Sequence, residues 1–267
     1  MDLFFRKFGD GPPLIILHGL YGSSDNWVSI GRKLSANYEV YLVDQRNHGK
    51  SPHSPQHNYH LLKEDLLEFM DKQSIDKAII LGHSMGGKTA MFFAVDYPER
   101  VNNLIVVDIS PKSYRNTKST QLLSHSTIIK AMYNVDFNHV KSREDIDKIL
   151  SPSIPLKRVR QFLLKNVNRT KDNRFAWSLN LESISNELKN IMDGLPIKNF
   201  KNGNGITGFP ALFIKGEKSD YIKPSDRRAI ETVFPFAEIE IIPNAGHWLH
   251  AEQPKLFLKT IQNFLAG

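Results

Sequence analysis

The stretch Ala78-Ile79-Ile80-Leu81-Gly82-His83-Ser84-Met85-Gly86-Gly87-Lys88-Thr89-Ala90-Met91-Phe92-Phe93-Ala94 decides how the rest of the chain is read. Its unbroken apolar start reads as a buried strand, and the run after Gly86 reads as a helix. Between them, Gly82-His83-Ser84-Met85-Gly86 is a G-x-S-x-G, which in a strand-to-helix setting is a nucleophile elbow. The chain must reverse within a few residues, which holds the serine in a strained conformation with Oγ exposed. Gly82 and Gly86 flank the turn where side chains would collide. The following helix aims its N-terminal N–H groups and the positive end of its dipole at the same spot, where an oxyanion would form. The competing reading is a Gly-rich turn carrying a surface serine.

Working outward, short apolar runs alternate with helix-length segments, the pattern of a mostly parallel sheet covered by helices on both faces. Strands are expected at Leu3–Phe8, Leu14–Leu17, Glu39–Val43, Lys77–Leu81, Leu104–Val107, Ala211–Ile214 and Glu238–Ile242. Helices are expected at about Trp27–Ser35, His60–Gln73, Ser84–Asp96, Pro224–Val233 and Pro254–Leu265. From Pro111 to about Asn204 there are no strand-like runs, only helical patterns at Thr120–Tyr133, Ser142–Leu150, Pro155–Asn166 and Leu181–Asp193. A connection this long is no plain loop. It reads as a helical cap (112–204) inserted into a core made of 1–111 and 205–267. The stretch Lys198-Asn199-Phe200-Lys201-Asn202-Gly203-Asn204-Gly205 reads as a flexible return to that core.

The bulk numbers narrow the class. The chain has 267 residues and is 40% hydrophobic, enough for one large α/β domain with an inserted subdomain. No apolar run approaches the roughly 20 residues needed to span a bilayer. The opening Met1-Asp2-Leu3-Phe4-Phe5-Arg6-Lys7-Phe8 lacks a signal-peptide pattern, so a cytoplasmic location is expected. Zero cysteines exclude disulfides, thiol catalysis and thiolate metal sites. The net charge of +7 reads as a solvated lysine-rich surface ahead of a site for anions. No basic stretch interleaved with aromatics points to nucleic acid.

A serine nucleophile requires a base, and the base an orienting acid. His247, in Pro243-Asn244-Ala245-Gly246-His247-Trp248, follows the last expected strand. Its loop belongs to the sheet edge that carries Ser84, where open α/β sheets build their functional crevice. His18-Gly19-Leu20-Tyr21-Gly22 follows another strand and fits the second oxyanion loop. The expected donors are the backbone N–H groups of Leu20 and Met85, with His18 shaping the loop. The acid has two candidates. In Lys215-Gly216-Glu217-Lys218-Ser219-Asp220-Tyr221 the G-x-x-D slot holds Ser219, and Asp220 comes one residue late. Asp108 closes the buried strand Leu104-Ile105-Val106-Val107, where it needs a partner such as His247. Asp108 is preferred, Asp220 remains the alternative, and Ser219 is expected to add a hydrogen bond near the imidazole. In Val43-Asp44-Gln45-Arg46-Asn47-His48-Gly49-Lys50-Ser51-Pro52, Asp44 and His48 read as loop bracing ahead of a second catalytic pair. No metal-ligand spacing occurs.

With these residues in hand, the chain resembles an α/β-hydrolase of the small YbfF-type esterase family. The resemblance rests on His18-Gly19-Leu20-Tyr21-Gly22-Ser23, Asp44-Gln45-Arg46-Asn47-His48-Gly49-Lys50-Ser51-Pro52, Gly82-His83-Ser84-Met85-Gly86-Gly87-Lys88, Val107-Asp108-Ile109-Ser110-Pro111 and Gly246-His247-Trp248-Leu249-His250-Ala251-Glu252. The chain order nucleophile, acid, histidine is also that of this fold. The resemblance implies hydrolysis of short- to medium-chain acyl esters, with some relatives cleaving acyl-CoA thioesters. It also implies the acid after strand six of the family's count and a serine in the G-x-x-D slot, matching Asp108 and Ser219. The cap string Arg174-Phe175-Ala176-Trp177-Ser178-Leu179-Asn180-Leu181 resembles a family segment near the pocket.

The expected site is therefore Ser84, His247 and Asp108, with Leu20 and Met85 as oxyanion donors and no cofactor. Tyr21, Phe175, Trp177 and Trp248 are the candidate pocket aromatics. The cap cations Lys157, Arg158, Arg160, Lys165, Arg169 and Lys171 read as a solvated helix face ahead of a site for a phosphate-rich leaving group. Two other readings stand beside ester hydrolysis: a carbon–carbon bond hydrolase or lactonase with the same residues, and a non-catalytic sensor of a small ligand.

Overall fold

A computed structural model describes residues 1–116, 119–200 and 203–267. Seven strands form one sheet: β1 (Phe5–Phe8), β2 (Pro13–Leu17), β3 (Glu39–Val43), β4 (Ala78–His83), β5 (Val101–Val107), β8 (Ala211–Gly216) and β9 (Glu238–Ile242). Their spatial order is β1-β3-β2-β4-β5-β8-β9, and every pairing is parallel except β1 against β3. A two-residue period sorts the central strands between two apolar layers. Ile15, Leu17, Ile80, Leu104, Val106 and Phe213 pack on one face. Leu14, Ile16, Ile79, Leu81, Ile105 and Ile214 pack on the other. Both faces are covered, so these strands read as apolar runs instead of alternating ones.

The second layer is closed by α1 (Val28–Leu34) and α11 (Pro254–Leu265), through Trp27, Ile30, Leu34, Phe257 and Ile261. The first is closed by α2 (Tyr59–Lys72), α3 (Met85–Asp96) and α9 (Arg227–Val233). Asn58 starts α2 by accepting the Leu61 N–H at 3.0 Å, one of the orphan donors of a first turn. α10 (Leu249–Glu252) leads into α11.

Between β5 and β8 the chain leaves the sheet and forms α4 (Thr120–Tyr133), α5 (Arg143–Leu150), α6 (Lys157–Leu164), α7 (Leu181–Asn186) and α8 (Leu188–Ile191). α5 begins with a capping box: Ser142 Oγ accepts the Asp145 N–H, and Asp145 accepts the Ser142 N–H. This region corrects the expectation that it holds no strands. β6 (Val167–Arg169) and β7 (Phe175–Trp177) pair as an antiparallel hairpin. Three-residue strands are too short to display a legible two-residue period. The turn depends on Asn173 at φ 59°, a left-handed conformation that Asn tolerates better than most residues. The single helix expected over Leu181–Asp193 is two, broken at Glu187. In the expected return segment, residues 201 and 202 lie outside the described residues, while Ile197–Phe200 forms a 3-10 turn.

Candidate active site

The site is assembled where β2, β4, β5, β8 and β9 end. β4 runs into α3 through Ser84, which sits at φ 53°, ψ −115°. Its N–H donates to the Val107 carbonyl at 2.9 Å, and its carbonyl accepts the Lys88 N–H at 3.0 Å. The glycines answer to the close approach of backbone. A Cβ on Gly82 would land on the Gly86 carbonyl, and one on Gly86 would land on the carbonyls of Leu17 and His18. The elbow is thus wedged against the end of β2, which holds a strained serine in place.

Asp108 ends β5 at φ 52° and is wholly buried. Its N–H donates to the Ile214 carbonyl at 2.8 Å, tying it to the end of β8. Oδ1 accepts the Gly216 N–H at 3.1 Å. Oδ2 accepts the Ser219 hydroxyl and lies 2.7 Å from His247 Nδ1. Three donors on two oxygens satisfy a carboxylate with no exposed surface. Asp220, the alternative acid, is exposed, and its carbonyl accepts the Gln121 side chain at 3.2 Å.

His247 is held on three sides. Besides Asp108, the Tyr221 ring stacks on it at 3.9 Å and 18°. His83 Nε2–H donates to the His247 carbonyl at 2.8 Å. Ser84, His247, Tyr21 and Trp248 border one cavity of about 380 Å³, roofed by α4 and α6 through Ile128, Val159 and Phe162. Phe175 and Trp177 do not border it, which corrects their assignment as pocket aromatics. Trp177 donates its indole N–H to the Met132 carbonyl at 3.2 Å and meets Phe137 edge-on. Phe175 lies under the Arg169 guanidinium. An indole N–H needs an acceptor when half-buried, and here it pins the hairpin onto α4.

The loop after β2 is shaped by His18. Its Nε2 accepts the Gln45 N–H at 3.0 Å, and Nδ1–H donates to the Gly19 carbonyl at 2.9 Å. Burial lowers its pKa to about 4, so the ring is neutral. His48 Nε2 accepts the Tyr21 N–H, and burial lowers its pKa to about 3. Asp44 accepts the N–H groups of Ser24 and Lys50, and Arg46 grips Asp65 through two hydrogen bonds. Asn47 reaches Ser183 of α7 at 3.1 Å, and its carbonyl accepts the Asn180 N–H. The string 44–52 thus braces the Leu20 loop, α2 and α7 against one another. Of the cap cations, Arg160 grips Asp147, Arg158 lies 3.6 Å from Glu252, and Arg169 donates to Asn173.

Sequence reasoning missed His125 and Tyr221. His125, on α4, places Nδ1 3.3 Å from the Tyr21 hydroxyl and Nε2 3.1 Å from the Tyr221 hydroxyl. Burial first, and then His247, lowers its pKa to about 4. Tyr221 follows Asp220 in a loop already singled out, so an aromatic one position on was the available signal. His125 left no trace, because only folding brings α4 over the loop. Among the described residues no cluster of His, Asp or Glu is placed to hold a metal. Among the described residues, too, no helix is long and apolar enough to cross a membrane.

Residues 12–254 match the family model described as the alpha/beta hydrolase fold. The chain belongs to the α/β hydrolase fold family. Within that family it is similar to a marine microorganism esterase of known structure, at 47% identity and a TM-score of 0.93, covering 98% of this chain and 99% of that one. It is 39% identical to the zebrafish (Danio rerio) sn-1-specific diacylglycerol lipase ABHD11, over 99% of this chain and 81% of that protein. It is 33% identical to the Escherichia coli esterase YbfF, over 95% of this chain and 92% of that protein. The resemblance read from the motifs and the expected fold class both stand.

Proposed function

We propose that this α/β hydrolase is a serine carboxylic ester hydrolase working through Ser84, His247 and Asp108. The observation that carries the reading is the Asp108 Oδ2–His247 Nδ1 contact of 2.7 Å beside a strained, elbow-mounted Ser84 in the same cavity. The names of the esterase and lipase relatives support it. Ser84 Oγ attacks the ester carbonyl while His247 Nε2 takes its proton, and Asp108 holds the ring with Nδ1–H toward itself. The tetrahedral oxyanion is received by the N–H groups of Met85, in the unsatisfied first turn of α3, and of Leu20. Neither N–H has an acceptor among the described residues. One such donor is worth about 3 kcal/mol of barrier. His247 then returns the proton to the leaving alcohol, and water activated by the same ring releases the acid from Ser84.

The test is Ser84→Ala with p-nitrophenyl acetate. The expected result is a loss of about 10⁴-fold or more in kcat with an unchanged melting temperature. Turnover retained within tenfold by a folded variant overturns the reading. So does absence of turnover by the native chain across acyl lengths, with ligand binding detected only as a thermal shift.

A further inference from the structure

Two cavities meet at Ser84, and they are unequal. The larger, of about 380 Å³, is bordered by His247 and roofed by apolar side chains of α4 and α6. The smaller, of about 10 Å³, shares Leu20, Ser84, His125 and Tyr221 with the larger but extends toward Met85, is not bordered by His247, and is closed by Lys88, Ile109, Tyr114, Ile191 and Met192. In ester cleavage the leaving oxygen must reach the proton on His247, whereas the acyl substituent points away from it. The side that holds the base is therefore the side of the leaving group.

Resting on the reading of Ser84 as nucleophile, we propose that the small cavity is the acyl subsite and the large one the leaving-group subsite. The substrate class is then an acetate- or propionate-sized ester of a bulky apolar alcohol. A space of about 10 Å³ admits one water-sized group, which is a methyl and little more. Its walls are fastened. Tyr59 donates its hydroxyl to the Ile191 carbonyl at 2.5 Å, and Tyr114 donates to the Tyr221 carbonyl. The buried Lys88 Nζ, whose pKa burial pushes well down, donates to the carbonyls of Pro111 and Lys112 and lies over the Tyr114 ring. Among the described residues that line this cavity, no cation is then free to recruit an acyl chain that ends in a carboxylate.

Hexyl acetate and ethyl hexanoate are isomers that exchange which side of the ester is long, so they separate the two subsites at matched composition. Acid release in a pH-stat is expected to give kcat/KM at least tenfold higher for hexyl acetate. Met192→Ala, which opens the small cavity, is expected to narrow that ratio at least threefold by raising the ethyl hexanoate rate. A native ratio below tenfold, a ratio unmoved in folded Met192→Ala, or no turnover of hexyl acetate overturns the partition. Ser84→Ala run on both esters distinguishes the failures. If it abolishes a reversed preference, only the partition falls. If it retains turnover, the serine reading falls as well.

Discussion

Asp108 does two jobs in one conformation. Its left-handed backbone turns the carboxylate across the ends of β5 and β8, and its two oxygens collect Gly216, Ser219 and His247. Asn in its place keeps the shape but offers an amide where an acceptor is required, which favours the wrong tautomer of His247. Asp108→Asn is expected to lower kcat by about 10⁴-fold with KM little changed. Asp220→Asn, altering an exposed side chain, is expected to stay within twofold. Steady-state kinetics on both decides the acid, and loss of turnover in Asp220→Asn alone would reverse the assignment. Ser219 in the usual slot, the ground for preferring Asp108, was legible in the sequence. The Tyr221 stack and the His125 bridge were not, since neither has a local pattern.

The elbow works as an element because backbone meets backbone where β2, β4 and α3 converge. A Cβ at Gly86 has main-chain carbonyls in front of it, which cannot swing aside as a side chain can. Gly86→Ala is expected to cost about 3 kcal/mol of stability, read as a lower urea midpoint. A midpoint unchanged within error would mean that the end of β2 yields more than its packing allows. All seven sheet strands were expected, the five inner ones from apolar runs that burial on both faces leaves long and unambiguous, while the edge strands β1 and β9 are partly exposed. The β6–β7 hairpin was not, and neither was the inward or outward direction of Phe175 and Trp177. Those depend on how three-residue strands seat against α4.

Across the whole molecule, burial keeps several histidines neutral. It lowers the pKa of His18 and His125 to about 4, and of His48 and His250 to about 3. Unfolding restores the ordinary value near 6.5, so below that pH the unfolded chain binds protons that the folded chain refuses. Stability is therefore insensitive to these groups above about pH 7 and falls on acidification. Each contributes about 1.4 kcal/mol per pH unit until its folded pKa is reached. His250 stacks on Trp27 at 4.2 Å and has a buried Nδ1 without a partner among the described residues. His250→Phe keeps the stack and is expected to make the urea midpoint fall less steeply between pH 6.5 and 5. An unchanged slope would remove His250 from the account.

From the sequence alone come the sheet, the elbow, and the chain order Ser84, Asp108, His247, because these rest on local periodicity and on residues that only one backbone geometry accommodates. Only the tertiary structure decided which aromatics border the cavity, which cap residues reach the core loops, and that two cavities of unequal size meet at Ser84. Those depend on the seating of separate elements against one another, which no local spacing encodes.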